Sequence, residues 1–162
     1  MYLRMEECAQ REWVGMKMHM SFATNQTREL WQRFMPKKGE LQPKNDLLFS
    51  IERYPNDFFQ SFDPTREFEK WAAVEVVEST SIPNGMAKLT SPAGMYAVFL
   101  HKGTPEEGPK TYGYIFETWL PASGYQLDHR PHFAVMGERY SNHDPNSEEE
   151  IWIPVKNRAT PL

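Results

Sequence analysis

At 162 residues with a formal charge of -4, the chain has the size of one domain and lacks the basic footprint that binding nucleic-acid phosphates requires. No apolar run approaches the roughly 20 residues of a membrane span, and the opening MYLRMEECAQREW lacks the apolar core of a secretory signal. A single cysteine, Cys8, forms no internal disulfide, so a reducing cytoplasm is the expected compartment and the thiol is read as incidental.

Residues 12–20, EWVGMKMHM, alternate in polarity and predict a first strand, with Val14, Met16 and Met18 on one face and Lys17 and His19 on the other. Thr24 and Asn25 supply capping side chains for a helix over TRELWQRFM, in which Leu30, Trp31 and Phe34 fall at helical spacing before Pro36 ends it. A second strand is predicted over residues 47–54. The aromatic, proline-containing segment after it reads as an ordered loop, and a third strand covers residues 71–78. The turn-rich stretch STSIPNGMAKLTSPAG is the expected crossover between halves.

The second half opens with MYAVFLH, a strand in which Tyr96, Val98 and Leu100 oppose Ala97, Phe99 and His101. A helix should start near Gly108–Pro109, with Pro109 at its first position, and end at Pro121. PHFAVMGE and EEIWIPVK form the last two strands, separated by a polar loop through Asp144 and followed by a frayed tail, RATPL.

The order strand, helix, strand, strand thus occurs twice, over residues 10–80 and 93–157 of a single 1–162 domain. Residues recur with the pattern. WQRFMP matches FETWLP, and Glu52-Arg53-Tyr54 matches Glu138-Arg139-Tyr140; Met18-His19 matches Leu100-His101, and VEV at 74–76 matches IPV at 153–155. The predicted fold class is α+β, two pseudo-symmetric repeats whose mainly antiparallel sheets enclose a ligand groove. Superposing the repeats places Lys17, His19, Leu48, Trp71 and Glu75 on the groove side of one half. From the other half it places Phe99, His101, His132, Ala134, Met136, Glu150 and Trp152 there.

Three strings, WLPASGY (119–125), RPHF (130–133) and SEEEIWIPVK (147–156), resemble the GyrI-like small-molecule-binding domain, the effector-binding domain of AraC-type and multidrug-responsive regulators. The resemblance spans essentially the whole chain and implies the same pseudo-symmetric α+β fold. It also implies a groove for planar hydrophobic or cationic ligands, in some relatives with a buried glutamate as counter-ion. Other relatives are hydrolases of cyclopropane-containing toxins, and the founding member is associated with protection of DNA gyrase. On this resemblance Glu150 is the glutamate opening the EIWIPV motif, and Trp71 is the matching aromatic of the first half. Ala134 stands where relatives commonly carry an acidic residue, which favours binding over catalysis.

The ligand-contacting set expected here is therefore Glu150, Trp152, Trp71, Glu75, Phe99, His101, His19 and Ala134. Glu150 is either a counter-ion or, in a hydrolase, the general base. The aromatic residues are either core or stacking platforms. No cofactor is expected. The pair His19 and His101 lacks a third metal ligand, and His129, His132 and His143 sit in or beside loops without ligand spacing. The expected partners are a small hydrophobic or cationic molecule and a regulatory protein or DNA gyrase, with no direct DNA contact; the chain is read as a monomer or a dimer.

Overall fold

The computed structural model describes residues 1–78, 80–104, 107–137 and 146–158. The Glu138-Arg139-Tyr140 match, His143, the loop through Asp144 and the tail from residue 159 lie outside these. Chain order is β1 (Tyr2–Cys8), β2 (Arg11–Met20), α1 (Thr27–Phe34), β3 (Leu48–Arg53), β4 (Phe68–Glu75), β5 (Ala87–Ser91) and β6 (Gly94–Lys102). After β6 come α2 (Gly108–Gly113), β7 (Tyr125–Leu127), β8 (His132–Met136) and β9 (Glu148–Asn157). The sequence pattern identified β2, β3, β4, β6, β8, β9 and both helices. It missed β1, whose charged residues hide the alternation, and it read β5 as part of a turn-rich crossover.

Each helix begins and ends for local reasons. Asn25 Oδ1 accepts the Thr27 backbone N–H at 3.0 Å at the entry to α1. Helix α2 starts at Gly108 with Pro109 in its first turn, as predicted. It then widens into a π-helical turn, Tyr114–Trp119, and closes with Leu120–Ala122. Pro121 explains the widening: it offers no N–H to the ladder and its ring crowds the carbonyl four residues back, so Leu120 N–H bonds instead to Ile115 O.

Pairing is antiparallel throughout, in the order β1-β6-β9-β8-β3-β4-β2-β5, with β7 added on β9. The two expected sheets are therefore one continuous sheet, joined by β3 and β8, where Phe49 faces Val135 and Ile51 faces Phe133. Both helices cover its outer face. Leu30 and Phe34 of α1 pack on Val14, Ala72 and Val74. Ile115, with Phe116 and Trp119, packs on Ala97, Phe99, Ala134, Ile151 and Ile153.

The inner face carries Trp13, Phe49, Ile51, Trp71, Ala73, Leu89, Tyr96, Val98, Phe133 and Trp152. Trp13 on β2 and Phe133 on β8 are three strand spacings apart, roughly 14 Å on a flat sheet. Their ring centroids are only 5.2 Å apart. The sheet curls inward until its own aromatic side chains meet across the hollow. A glycine opposite an alanine eases this coiling: Gly15 pairs with Ala73, and a Cβ at Gly15 would lie 2.0 Å from the Ala72 carbonyl oxygen.

Candidate ligand-binding site

Alternation decides which predicted residues share the inner face. Trp71, Glu75, Glu150 and Trp152 do, and His19 lies at its end. Phe99, His101 and Ala134 do not. Phe99 meets Trp119 edge-on at 5.0 Å beneath α2, and Ala134 belongs to the same outer cluster. His101 is buried on that side, its Nδ1 2.7 Å from Thr111 Oγ1 and its Nε2 3.1 Å from Thr104 O. Leu48, His132 and Met136 also face outward, whereas Tyr96 and Val98 face in. For β3 and β8 the expected match is in phase and both strands simply present the opposite face; for Phe99 and His101 the physical reason is parity. Aligning Met18-His19 with Leu100-His101 slips the register by one residue, and in a strand that exchanges the two faces.

Trp152 is the centre of the inner face. It stacks on Phe133 at 5.3 Å with an 18° interplanar angle and lies 6.1 Å from Tyr96. Two guanidiniums flank it, Arg4 at 5.6 Å and Arg11 at 5.4 Å from the ring centroid. Arg11 also lies over Phe133 at 5.3 Å and Phe49 at 5.9 Å. Each arginine has a carboxylate partner. Arg4 donates from both terminal nitrogens to Glu150, each at 3.2 Å, while Trp152 Nε1 donates to Glu150 Oε1 at 3.2 Å. Arg11 donates to both oxygens of Glu75 at 3.3 and 3.4 Å, and Asn45 Nδ2 adds a bond to Glu75 at 3.0 Å.

Sequence reasoning missed Arg4, Arg11, Phe49, Tyr96 and Phe133 as members of this face. Arg11 was legible, since it stands two residues before Trp13 in the alternating strand. Arg4 was not, because β1 carried no recognisable pattern. Trp13 is fully buried here, and its Nε1 has no hydrogen-bond partner among the described residues.

At one end the face opens into a cleft of about 410 Å³, lined in part by His19, Arg53, Glu69 and Arg130. Glu69 links the cleft to the aromatic interior: it accepts from Trp71 Nε1 at 2.5 Å and from Arg53 at 3.2 Å, with His19 Nε2 at 4.0 Å. The RPHF string holds this end together. Arg130 donates to Met95 O and Val155 O on neighbouring strands and lies 4.7 Å over Tyr96, whose hydroxyl donates to Pro131 O at 2.8 Å.

The outer face has a polar cluster of its own. Lys70 and Glu52 form a buried ion pair. His132, buried beside them, stacks on Phe59 and is pushed by burial, with His129 and Arg130 adding to the effect, down to about 3. Burial raises the Glu149 carboxyl, and more strongly the Tyr54 and Tyr112 hydroxyls. Burial likewise raises the Cys8 thiol, which disfavours its thiolate. Among the described residues no three His, Cys, Asp or Glu side chains converge as a metal site, and no helix is long and apolar enough to cross a membrane.

Comparison with known proteins agrees with this architecture. The GyrI-like small molecule binding domain matches residues 1–156. The transcriptional regulator BrlR of Pseudomonas aeruginosa PAO1 is 31% identical over 143 residues, which cover 88% of this chain and 51% of the regulator. The chain thus spans about half the length of that relative. Among solved structures, SAV2435 bound to tetraphenylphosphonium superposes with a TM-score of 0.70 at 17% identity, covering 96% of this chain and 94% of that one. A putative transcription regulation protein from Staphylococcus aureus MU50 gives 0.68 at 19% identity, covering 97% and 99%.

Proposed function

The chain belongs to the GyrI-like small-molecule-binding domain family, and we propose that its inner face binds a planar hydrophobic or cationic molecule through Trp152, Trp71, Glu75 and Glu150. One observation carries this reading: two guanidiniums already lie against Trp152, each tied to a carboxylate. A flat cation held between aromatic rings beside an acid is stabilised by cation–π attraction and ion pairing, both stronger away from bulk water. A ligand cation would meet the same groups. The cleft at His19 and Glu69 has the volume of a small-molecule site and is the natural entrance. The hydrophobic cation bound by a relative of the same fold supports the ligand class.

In this reading the domain senses or sequesters its ligand, and a protein partner or a further domain carries any regulatory output. The regulator relatives support that role. Hydrolysis is the less favoured reading. Both oxygens of Glu150 already accept hydrogen bonds from Arg4, an arrangement that fits a counter-ion better than a base held free over a substrate.

Thermal unfolding with tetraphenylphosphonium or a planar cationic dye tests the proposal. A ligand at about 100 times its Kd adds about 2.7 kcal/mol to the folded state, a rise of several degrees. Glu150→Gln should lose at least half of that rise. No rise with any such compound, or a full rise in the variant, would count against the site.

A further inference from the structure

The inner face is not an empty cation site. Arg11 sits within 6 Å of three aromatic rings, those of Phe49, Phe133 and Trp152, and its guanidinium is paired with Glu75. Its side chain is 22% exposed and that of Glu75 11% exposed, so the pair is largely withdrawn from solvent. An aromatic cage closed by a carboxylate is what a planar ligand cation would require. We infer that Arg11 is a resident occupant of this seat, and that it determines specificity by competing with cationic ligands for Glu75 and the three rings.

The geometry gives the competition its direction. Arg11 is the first residue of β2, three residues beyond Cys8 at the end of β1, so its side chain reaches over the rings from the end of its strand. No helix has to move for it to leave. Once it leaves, Glu75 keeps the Asn45 bond at 3.0 Å but no cation among its hydrogen-bonding partners in the described residues. The vacated cage then carries a net negative charge. An entering cation replaces the lost ion pair, whereas a neutral molecule of the same shape leaves Glu75 uncompensated in a partly buried place. Arg4, 5.6 Å from the Trp152 ring centroid, is bound to Glu150 and Glu6 and shares neither carboxylate with Arg11. Removal of Arg11 therefore opens one seat and leaves the other charge pair in place.

This inference rests on the binding reading above, and the experiment separates the two. Affinity is measured by titration calorimetry for tetraphenylphosphonium and for neutral triphenylphosphine oxide, using wild type, Arg11→Gln and the double variant Arg11→Gln/Glu75→Gln. Arg11→Met, which retains aliphatic packing, replaces the glutamine variant if that one does not fold. Removal of Arg11 should tighten tetraphenylphosphonium at least ten-fold, leave the neutral compound within about three-fold, and lose the gain in the double variant. A gain of the same size for both compounds would mean that truncation merely made room, and would overturn the inference. Unchanged or weaker cation binding in Arg11→Gln would also overturn it while the binding reading stood on the wild-type affinity. If neither wild type nor variant binds the cation, both fail.

Discussion

His132 is buried against Phe59, Tyr54 and Phe116, and its imidazole titrates at about 3 instead of the usual 6.5 or so. Between those values the unfolded chain binds a proton that the folded chain refuses. Stability should therefore be lost as pH falls from about 6.5 towards 3, by up to about 1.4 kcal/mol per pH unit. Above that window the residue contributes no pH dependence. Glu149 acts in the opposite sense, because a raised carboxyl takes its proton earlier in the folded state. The comparison of wild type with His132→Phe isolates the histidine. In urea titrations at pH 7 and pH 5, the acid-induced drop should be smaller in the variant; equal drops would contradict the assignment. None of this was legible in the sequence, where His132 read as a groove-side residue beside a loop. Its environment comes from an aromatic loop, residues 54–59, folded over the outer face.

Among the elements, β2 is the one that fixes the curvature. Gly15 has no room for a side chain, since its Cβ would lie 2.6 Å from Ala73 Cα as well as against the Ala72 carbonyl. Gly15→Ala must push apart two paired strands and should cost at least about 2 kcal/mol. Gly113→Ala points the other way. That glycine sits in α2 with open space around its Cβ position, so alanine should stabilise by roughly 0.5–1 kcal/mol. Thermal midpoints of the two variants should move in opposite directions. Equal effects would mean that the β2–β4 approach is looser than described. The existence of β2, β3, β4, β6, β8 and β9 was readable from alternation, and both helices from spacing and proline. Which face each strand presents was not reliably readable: a one-residue misalignment between halves inverted Phe99 and His101, while β3 and β8, matched in phase, both present the face opposite to the one expected and carry Leu48 and Ala134 outward. Period two carries the alternation but not its phase; Trp71 and Trp152 came out correctly because their strands were aligned in phase.

At the scale of the whole molecule, the strand order β6-β9-β8-β3-β4-β2 places a helix-bearing three-strand set on each side of the β3–β8 seam. Such an order is what duplication of one strand-helix-strand-strand unit would produce, and we propose duplication as its origin. Joining two units edge to edge yields one sheet long enough to curl, and curling brings Arg11 on β2 over Trp152 on β9. Neither half contains the proposed site alone. The central claim is that ligand binds on the inner face among Trp71, Trp152, Glu75 and Glu150. A crystal structure of the protein with tetraphenylphosphonium tests this most directly. The account predicts the cation against Trp152 with Arg11 turned away from Glu75; a cation seated on the outer face among Tyr54, Tyr112 and His132, with the Arg11–Glu75 pair intact, would contradict it.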